Sequence, residues 1–304
     1  MLVPQTNNKI PDSEFPEIQD AFKTHPELLD LCGKLKRVLP QEGLTNRVFR
    51  LDAEKGAFFL RLPRQETAGI VDREAEAANL SLAAELGLAL LPLFCKPCAG
   101  VLVTGAVDVV GDVPPDLPQK LGASLGRLHA SGAQFEGQLD PDAVYRAQRD
   151  ELGSVPDFRA EMAPLDEALQ DLSRTMRLKT EDVQLVPSHG DLSPGNCLST
   201  AERLWLIDWE YSGMSDPAWD IAYAVQEHGF SQDEESRFLK AYCGTDAADL
   251  LPDIKRLELM KARCDAVSAL WALEQVAKGR DPEIFLSFAL ARRDRALETI
   301  GRAN

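Results

Sequence analysis

Asp191, Asn196 and Asp208 are the residues of this chain whose types and spacing could do chemistry. The first two lie in the run Ser188-His189-Gly190-Asp191-Leu192-Ser193-Pro194-Gly195-Asn196, and Asp208 closes the apolar stretch Leu204-Trp205-Leu206-Ile207. An amide oxygen and a carboxylate, from Asn196 and Asp208, suit magnesium, which takes hard oxygen ligands and shares its sphere with substrate phosphates and water. Asp191, five positions before Asn196, can accept the proton of a hydroxyl and aim its oxygen. Together these are the parts that phosphoryl transfer needs, because positioning and charge neutralisation supply most of its catalysis. Taken singly, Asp and Asn beside Gly and Pro are ordinary turn formers. The ordered set, with a hydrophobic strand delivering Asp208, points to a site instead. His189 reads as a structural residue of the loop, not as a base or metal ligand.

The elements that must position this set follow from the pattern of the chain. Up to about Pro40 the sequence is polar and then helical, with Leu28, Leu29, Leu31, Leu35 and Val38 near one face. After Gly43-Leu44-Thr45-Asn46, the segments Val48–Leu51 and Ala57–Leu62 are rich in β-branched and aromatic residues and read as antiparallel strands. Gly43 would let the backbone approach a phosphate, since glycine has no Cβ. Arg73 opens a helix that runs to about Leu86 and stops at Gly87. Leu91–Cys95 and Val101–Thr104 complete a small sheet. Cys95-Lys96-Pro97-Cys98 between them has no second Cys/His pair nearby and reads as a hairpin turn. Gly111, Pro114, Pro115 and Pro118 mark a connection. Beyond it Leu121, Leu125 and Leu128 make a helical stripe ending near His129, residues 140–180 are helical and charged, and the last third alternates helical patterns. The fold class is α+β, with predicted domains at 1–40 (a helical extension), 41–105 and 106–304.

Composition narrows the partners. With 33 basic and 49 acidic residues the chain carries a formal charge of −16, which argues against a nucleic-acid or anionic-membrane surface and fits a small cationic substrate. No run approaches a membrane span, and no basic segment followed by an apolar core opens the chain. A cytoplasmic protein is expected, with its six cysteines reduced.

Protein kinases reach the nucleotide phosphates with a basic residue on a strand, held by a glutamate from the next helix. Arg61, with Glu76 or its competitor Glu74, fits those roles, and the arginine fork can engage phosphate and carboxylate at two points. Phe59-Leu60-Arg61, Asp72-Arg73 with Glu76, the His189 to Asn196 loop, and Ile207-Asp208-Trp209-Glu210-Tyr211 with Asp220-Ile221-Ala222 resemble the choline and ethanolamine kinases, within the aminoglycoside phosphotransferase-like group. The resemblance covers about residues 40–300. It implies a protein-kinase-like two-lobed fold, a small antiparallel N-lobe and a larger, mainly helical C-lobe, with ATP and Mg2+ between them. Gly43, Thr45, Asn46, Arg61 and Glu76 would serve the nucleotide, Asn196 and Asp208 the metal, and Asp191 the hydroxyl. Asp220 would brace the loop together with His189. Tyr211, Glu227 and Trp271 would hold the ammonium of an amino alcohol, choline or ethanolamine first, with cation–π attraction as the physical reason. Ser268 stands where choline kinases often carry a second tryptophan, which favours a less methylated amine; Trp271 fits core packing equally well. A kinase for another cationic alcohol (thiamine or an aminoglycoside) and a catalytically silent nucleotide- or amine-binding protein share these residues. A metal hydrolase built on His189 and Asp191 is short of ligands, since the other histidines are His25, His129 and His228 in unrelated contexts.

Overall fold

The computed structural model describes residues 15–41, 46–64, 71–152, 162–165, 167, 168, 170 and 183–303. They fall into two compact units, the first ending at Val110 and the second starting at Gly111.

The first unit holds helices α1 (Pro16–Thr24) and α2 (Glu27–Cys32), strands β1 (Leu35–Gln41), β2 (Asn46–Ala53) and β3 (Gly56–Pro63), helix α3 (Arg73–Glu85), and strands β4 (Pro92–Lys96) and β5 (Val101–Gly105). The strands form one antiparallel sheet in the order β1-β2-β3-β5-β4. Successive side chains of a strand point to opposite faces. On β3, Phe58, Leu60 and Leu62 therefore enter a core with Phe49, Leu51, Val103 and, from α1 and α2, Ile18 and Leu28. Arg61, between them, points to the other face. There α3 begins with Asp72 as its N-cap, whose carboxylate accepts from the backbone of Glu74 and Ala75.

One expectation fails here. The helical stripe through Leu35 and Val38 is not a helix: α2 ends at Cys32, Gly33 adopts φ +71°, and Leu35–Gln41 is a strand. The glycine accepts a left-handed turn at little steric cost, and Pro40 is tolerated because β1 is the edge of the sheet. The Cys95 to Cys98 segment is the turn expected, a short 3-10 piece at Pro97–Ala99 inside the β4–β5 hairpin.

The second unit contains α4 (Leu117–His129), α5 (Pro141–Leu152), two small ladders, and α6 (Pro217–His228), α7 (Gln232–Cys243), α8 (Ile254–Ala277) and α9 (Pro282–Ala303). The ladders pair β6 (Val186–Ser188) with β9 (Gly213–Ser215) and β7 (Cys197–Ser199) with β8 (Leu204–Leu206). Helix α8 is buried on nearly every side from Leu257 to Leu273, as befits a central helix. It packs against α5, α6 and α9. No helix among the described residues is long and apolar enough to cross a membrane.

Candidate active site

The chain between β6 and β7 carries the loop predicted from sequence, and Asp220 on α6 organises it. The Asp220 carboxylate, fully buried, accepts from the backbone N–H of His189 at 2.7 Å and of Gly190 at 2.9 Å. It also lies 3.4 Å from His129 Nε2, whose Nδ1 meets the Tyr242 hydroxyl at 2.9 Å. Burial pulls its pKa upward, but the His129 contact and the amide bonds outweigh it and hold the carboxyl below its ordinary range. His189 is buried; its Nδ1 accepts from the Asp191 backbone at 3.2 Å, so its Nε2 carries the proton donated to Ile207 O at 2.9 Å. Burial lowers its pKa, and the ring is a neutral strut. Gly190 has φ +87°, and a Cβ there would stand 2.4 Å from Tyr211 O.

In this loop Asn196 meets Asp191 directly, and Asp208 follows the residue whose backbone bonds Asn196. Asn196 Nδ2 donates to Asp191 Oδ2 at 2.9 Å and to Asp191 O at 3.0 Å. Ile207 N donates to Asn196 O at 3.0 Å and ties the end of β8 to the loop. Asp208 follows with φ +64°, the one positive φ outside glycine among the described residues. Such strain costs about 1–3 kcal/mol and persists where the surroundings over-determine it, as at functional sites. The donor set fits a hard divalent cation: with the Asn196 amide nitrogen committed to Asp191, its oxygen and the Asp208 carboxylate are the hard donors. Among the described residues no three His, Cys, Asp or Glu side chains gather to cage a metal.

In the first unit Arg61 pairs with Glu76. Its two terminal nitrogens meet both Glu76 oxygens, Nη2 to Oε2 at 2.9 Å. Arg73, which the sequence reading left without a role, adds a bond to Glu76 Oε2 at 2.8 Å and another to Asn46 Oδ1 at 2.9 Å. The pair thus anchors the start of β2. Burial works to raise the Glu76 pKa, yet the two arginines hold it below the usual carboxylate value. Gly43 and Thr45 lie outside the described residues.

Of the residues expected to hold an ammonium, Tyr211 is exposed, Glu227 is half-buried on α6, and Trp271 is half-buried on α8. The Trp271 ring packs edge-on against Phe285 at 5.8 Å and Phe288 at 6.5 Å. Sequence reading missed Tyr223. It sits midway along the α6 row Trp219, Tyr223 and Glu227, one helical turn apart; Trp219 Nε1 donates to Gly190 O at 3.1 Å, and the Tyr223 phenol lies close enough to feel the charges of Asp191 and Glu227. Burial first, then the charges of Asp191 and Glu227, push that phenol's pKa well up. The i, i+4 spacing from Glu227 was the available signal. Arg292, which with Ser268 bonds Glu227, is also new to the site.

An antiparallel sheet carrying an Arg–Glu pair and a helical unit carrying the Asp191, Asn196 and Asp208 loop define the class: an α+β phosphotransferase of kinase-like fold. The chain belongs to the Phosphotransferase enzyme family, which it matches over residues 37–260. It is similar to protein LicA of Haemophilus influenzae, 28% identical over 271 residues, 85% of this chain and 78% of that one. A choline/ethanolamine kinase family protein from Mesorhizobium loti superposes with a TM-score of 0.73 at 27% identity, covering 93% of this chain and 94% of the other. The choline kinase LicA of Streptococcus pneumoniae shares the fold, with a TM-score of 0.73 at 23% identity over 94% and 99% of the two chains. The resemblance to choline and ethanolamine kinases read from the sequence is borne out.

Proposed function

We propose that this phosphotransferase is an ATP- and magnesium-dependent kinase of a small amino alcohol, with choline or ethanolamine as acceptor. The observation that carries the reading is that Asp191, the carboxylate suited to orient a hydroxyl, and Glu227, a carboxylate suited to an ammonium, lie near enough to act on each other, with the Tyr223 phenol on α6 within reach of both charges. An amino alcohol carries those two groups on one short chain. The charge around Tyr211 agrees, since Glu210, Asp191, Asp208 and Glu274 all act on its phenol, and acids beside aromatic rings favour a cation.

In this reading Asp191 takes the hydroxyl proton and aims the oxygen, while Asn196 and Asp208 would hold magnesium. The metal, when bound, neutralises phosphate oxygens. Arg61, held by Glu76, contacts the nucleotide phosphates, with Gly43, Thr45 and Asn46 on the nucleotide loop. Tyr211, Glu227 and Trp271 receive the ammonium, and His189 and Asp220 support the loop. The sheet-bearing unit serves the nucleotide and the helical unit the acceptor. A cytoplasmic setting goes with it, because all six thiols are free and reduced cysteines suit that compartment.

The test is a panel of ATP turnover with choline, ethanolamine, thiamine and an aminoglycoside, run for the wild type and Asp191→Asn. Stimulation by choline or ethanolamine, lost by about three orders of magnitude in Asp191→Asn, is expected. Stimulation by thiamine or the aminoglycoside alone moves the acceptor, and nucleotide binding without turnover on any alcohol refutes the kinase reading.

A further inference from the structure

Glu227 is not a bare carboxylate. Its Oε2 accepts from Arg292 Nη2 at 2.8 Å and its Oε1 from Ser268 Oγ at 3.0 Å. Arg292 is itself fixed: its Nη1 donates to Asp265 Oδ1 at 3.2 Å and to Gln226 O at 3.3 Å, and its guanidinium lies 4.7 Å over the Phe288 ring. Asp265 in turn accepts from Arg295 Nε at 2.7 Å and from Gln226 Nε2 at 2.8 Å. Both arginines lie on α9, beyond residue 260 where the family match ends.

We propose that Arg292 is a positioning residue for the acceptor, fixing Glu227 as a charge-paired carboxylate whose remaining lone pairs bind the ammonium. The inference rests on the amino-alcohol reading above. A carboxylate offers about four lone-pair sites; Arg292 and Ser268 take one each, and the others serve the substrate. Arg292 need not leave when the amine arrives, because one of its nitrogens stays on Asp265 and its face stays on Phe288. The same ring borders Trp271, so this turn of α9 supports both the acid and the aromatic wall.

The groups that act on Glu227 come from every element around it: Arg292 and Arg295 from α9, Ser268 and Asp265 from α8, Tyr223 from its own helix, and Asp191 from the loop. Burial pushes the Glu227 pKa up, with Asp191 adding to it, while Ser268 and Arg295 pull it down. Losing the Arg292 charge removes a direct counter-ion and moves Glu227 further up. A protonated Glu227 has no Coulombic hold on a cation, so acceptor binding then fails as pH falls through a higher value.

The experiment is steady-state kinetics of the wild type, Arg292→Met and Arg292→Lys with choline and ethanolamine from pH 6 to 9. For Arg292→Met the acceptor KM should rise about 10-fold or more, as expected for truncating one partner of a buried charge pair. Its kcat and ATP KM should stay within about 3-fold, and the acid limb of kcat/KM for the acceptor should move to higher pH by about one unit. Arg292→Lys keeps the charge but loses the fork that joins Glu227 to Asp265, and should raise the acceptor KM by a smaller factor with the acid limb near the wild type; it carries the test where Met does not fold. An unchanged acceptor KM in the lysine variant, or equal falls in kcat and kcat/KM with no moved acid limb in the methionine variant, overturns the proposal while wild-type turnover of the amines leaves the amino-alcohol reading standing. Absence of wild-type turnover with either amine overturns that reading and the inference with it.

Discussion

Replacing Asp220 by Asn tests whether the loop is held from α6. The wild-type carboxylate receives two backbone N–H bonds and the His129 contact at a fully buried site. Asn keeps one acceptor oxygen and turns an amide group toward donors. One backbone N–H, that of His189 or Gly190, loses its partner. A hydrogen bond to a charged group contributes about 1.5–3 kcal/mol and a stranded buried donor costs about 1–3 kcal/mol, which overlap in this substitution. A loss of roughly 2–4 kcal/mol in urea unfolding is expected. The pH dependence gives a second handle. The folded-state pKa of Asp220 is depressed, so its contribution is fully present above the unfolded value of about 3.9 and is lost as pH falls through the folded value. The difference between wild type and variant should therefore be constant at neutral pH and shrink below about pH 4. Because the loop also carries Asp191, kcat should fall well below wild type while the ATP KM changes little. A variant within about 0.5 kcal/mol of wild type at pH 7, with kcat intact, would refute the brace.

Two further outcomes follow from the geometry. Gly190→Ala places a Cβ 2.4 Å from Tyr211 O at φ +87°; backbone strain of about 1–3 kcal/mol and overlap of similar size should lower stability by roughly 2–5 kcal/mol and depress kcat, and a fully active, equally stable alanine variant by unfolding and turnover assays would contradict the close approach. Glu76→Gln leaves Arg61 and Arg73 sharing one neutral amide; since breaking a buried pair costs about 3–5 kcal/mol and both arginines keep some exposure, a loss near the lower end and a raised ATP KM are expected, with unchanged values for both counting against a role for the pair.

The legible part of this molecule was the part written in contiguous residues. The His189 to Asn196 loop, the strand delivering Asp208, the β2–β3 hairpin and the α3 start at Asp72 each carry their signal within about a dozen positions, the range over which periodicity and turn chemistry act. The same locality misled at Leu35 and Val38, whose helical spacing continued through Gly33; the glycine breaks the helix and the edge position of β1 decides the rest. The bonds of Arg73 to Glu76 and Asn46 went unread because a first-turn arginine is an ordinary helix residue until tertiary packing sets it beside Asn46. Arg292 was invisible for a related reason: Glu227 and its guanidinium partner are 65 positions apart, and nothing local distinguishes Arg292 from the other arginines of α9, whereas Tyr223 stands at i, i+4 spacing from Glu227 and left a local signal.

Charge links the two kinds of residue. A chain of net charge −16 that used ATP would need local positive charge for an anionic nucleotide, and Arg61 and Arg73, two guanidiniums gathered on Glu76, bring such charge to the start of β2. Glu76 is thereby more than a tether for Arg61, since it holds two cations close together that would otherwise repel. The Glu227 group has the opposite composition. Arg292 and Arg295 face Glu227 and Asp265, two against two, so that cluster is neutral, and the attraction for a cationic acceptor must come from the acids around Tyr211 and Asp191. Under that arrangement Glu227 supplies direction more than field strength. Those acids are buried at Glu210 and half-buried at Asp191, Asp208 and Glu274, so salt should weaken acceptor binding only modestly, because buried charges are screened far less than exposed ones.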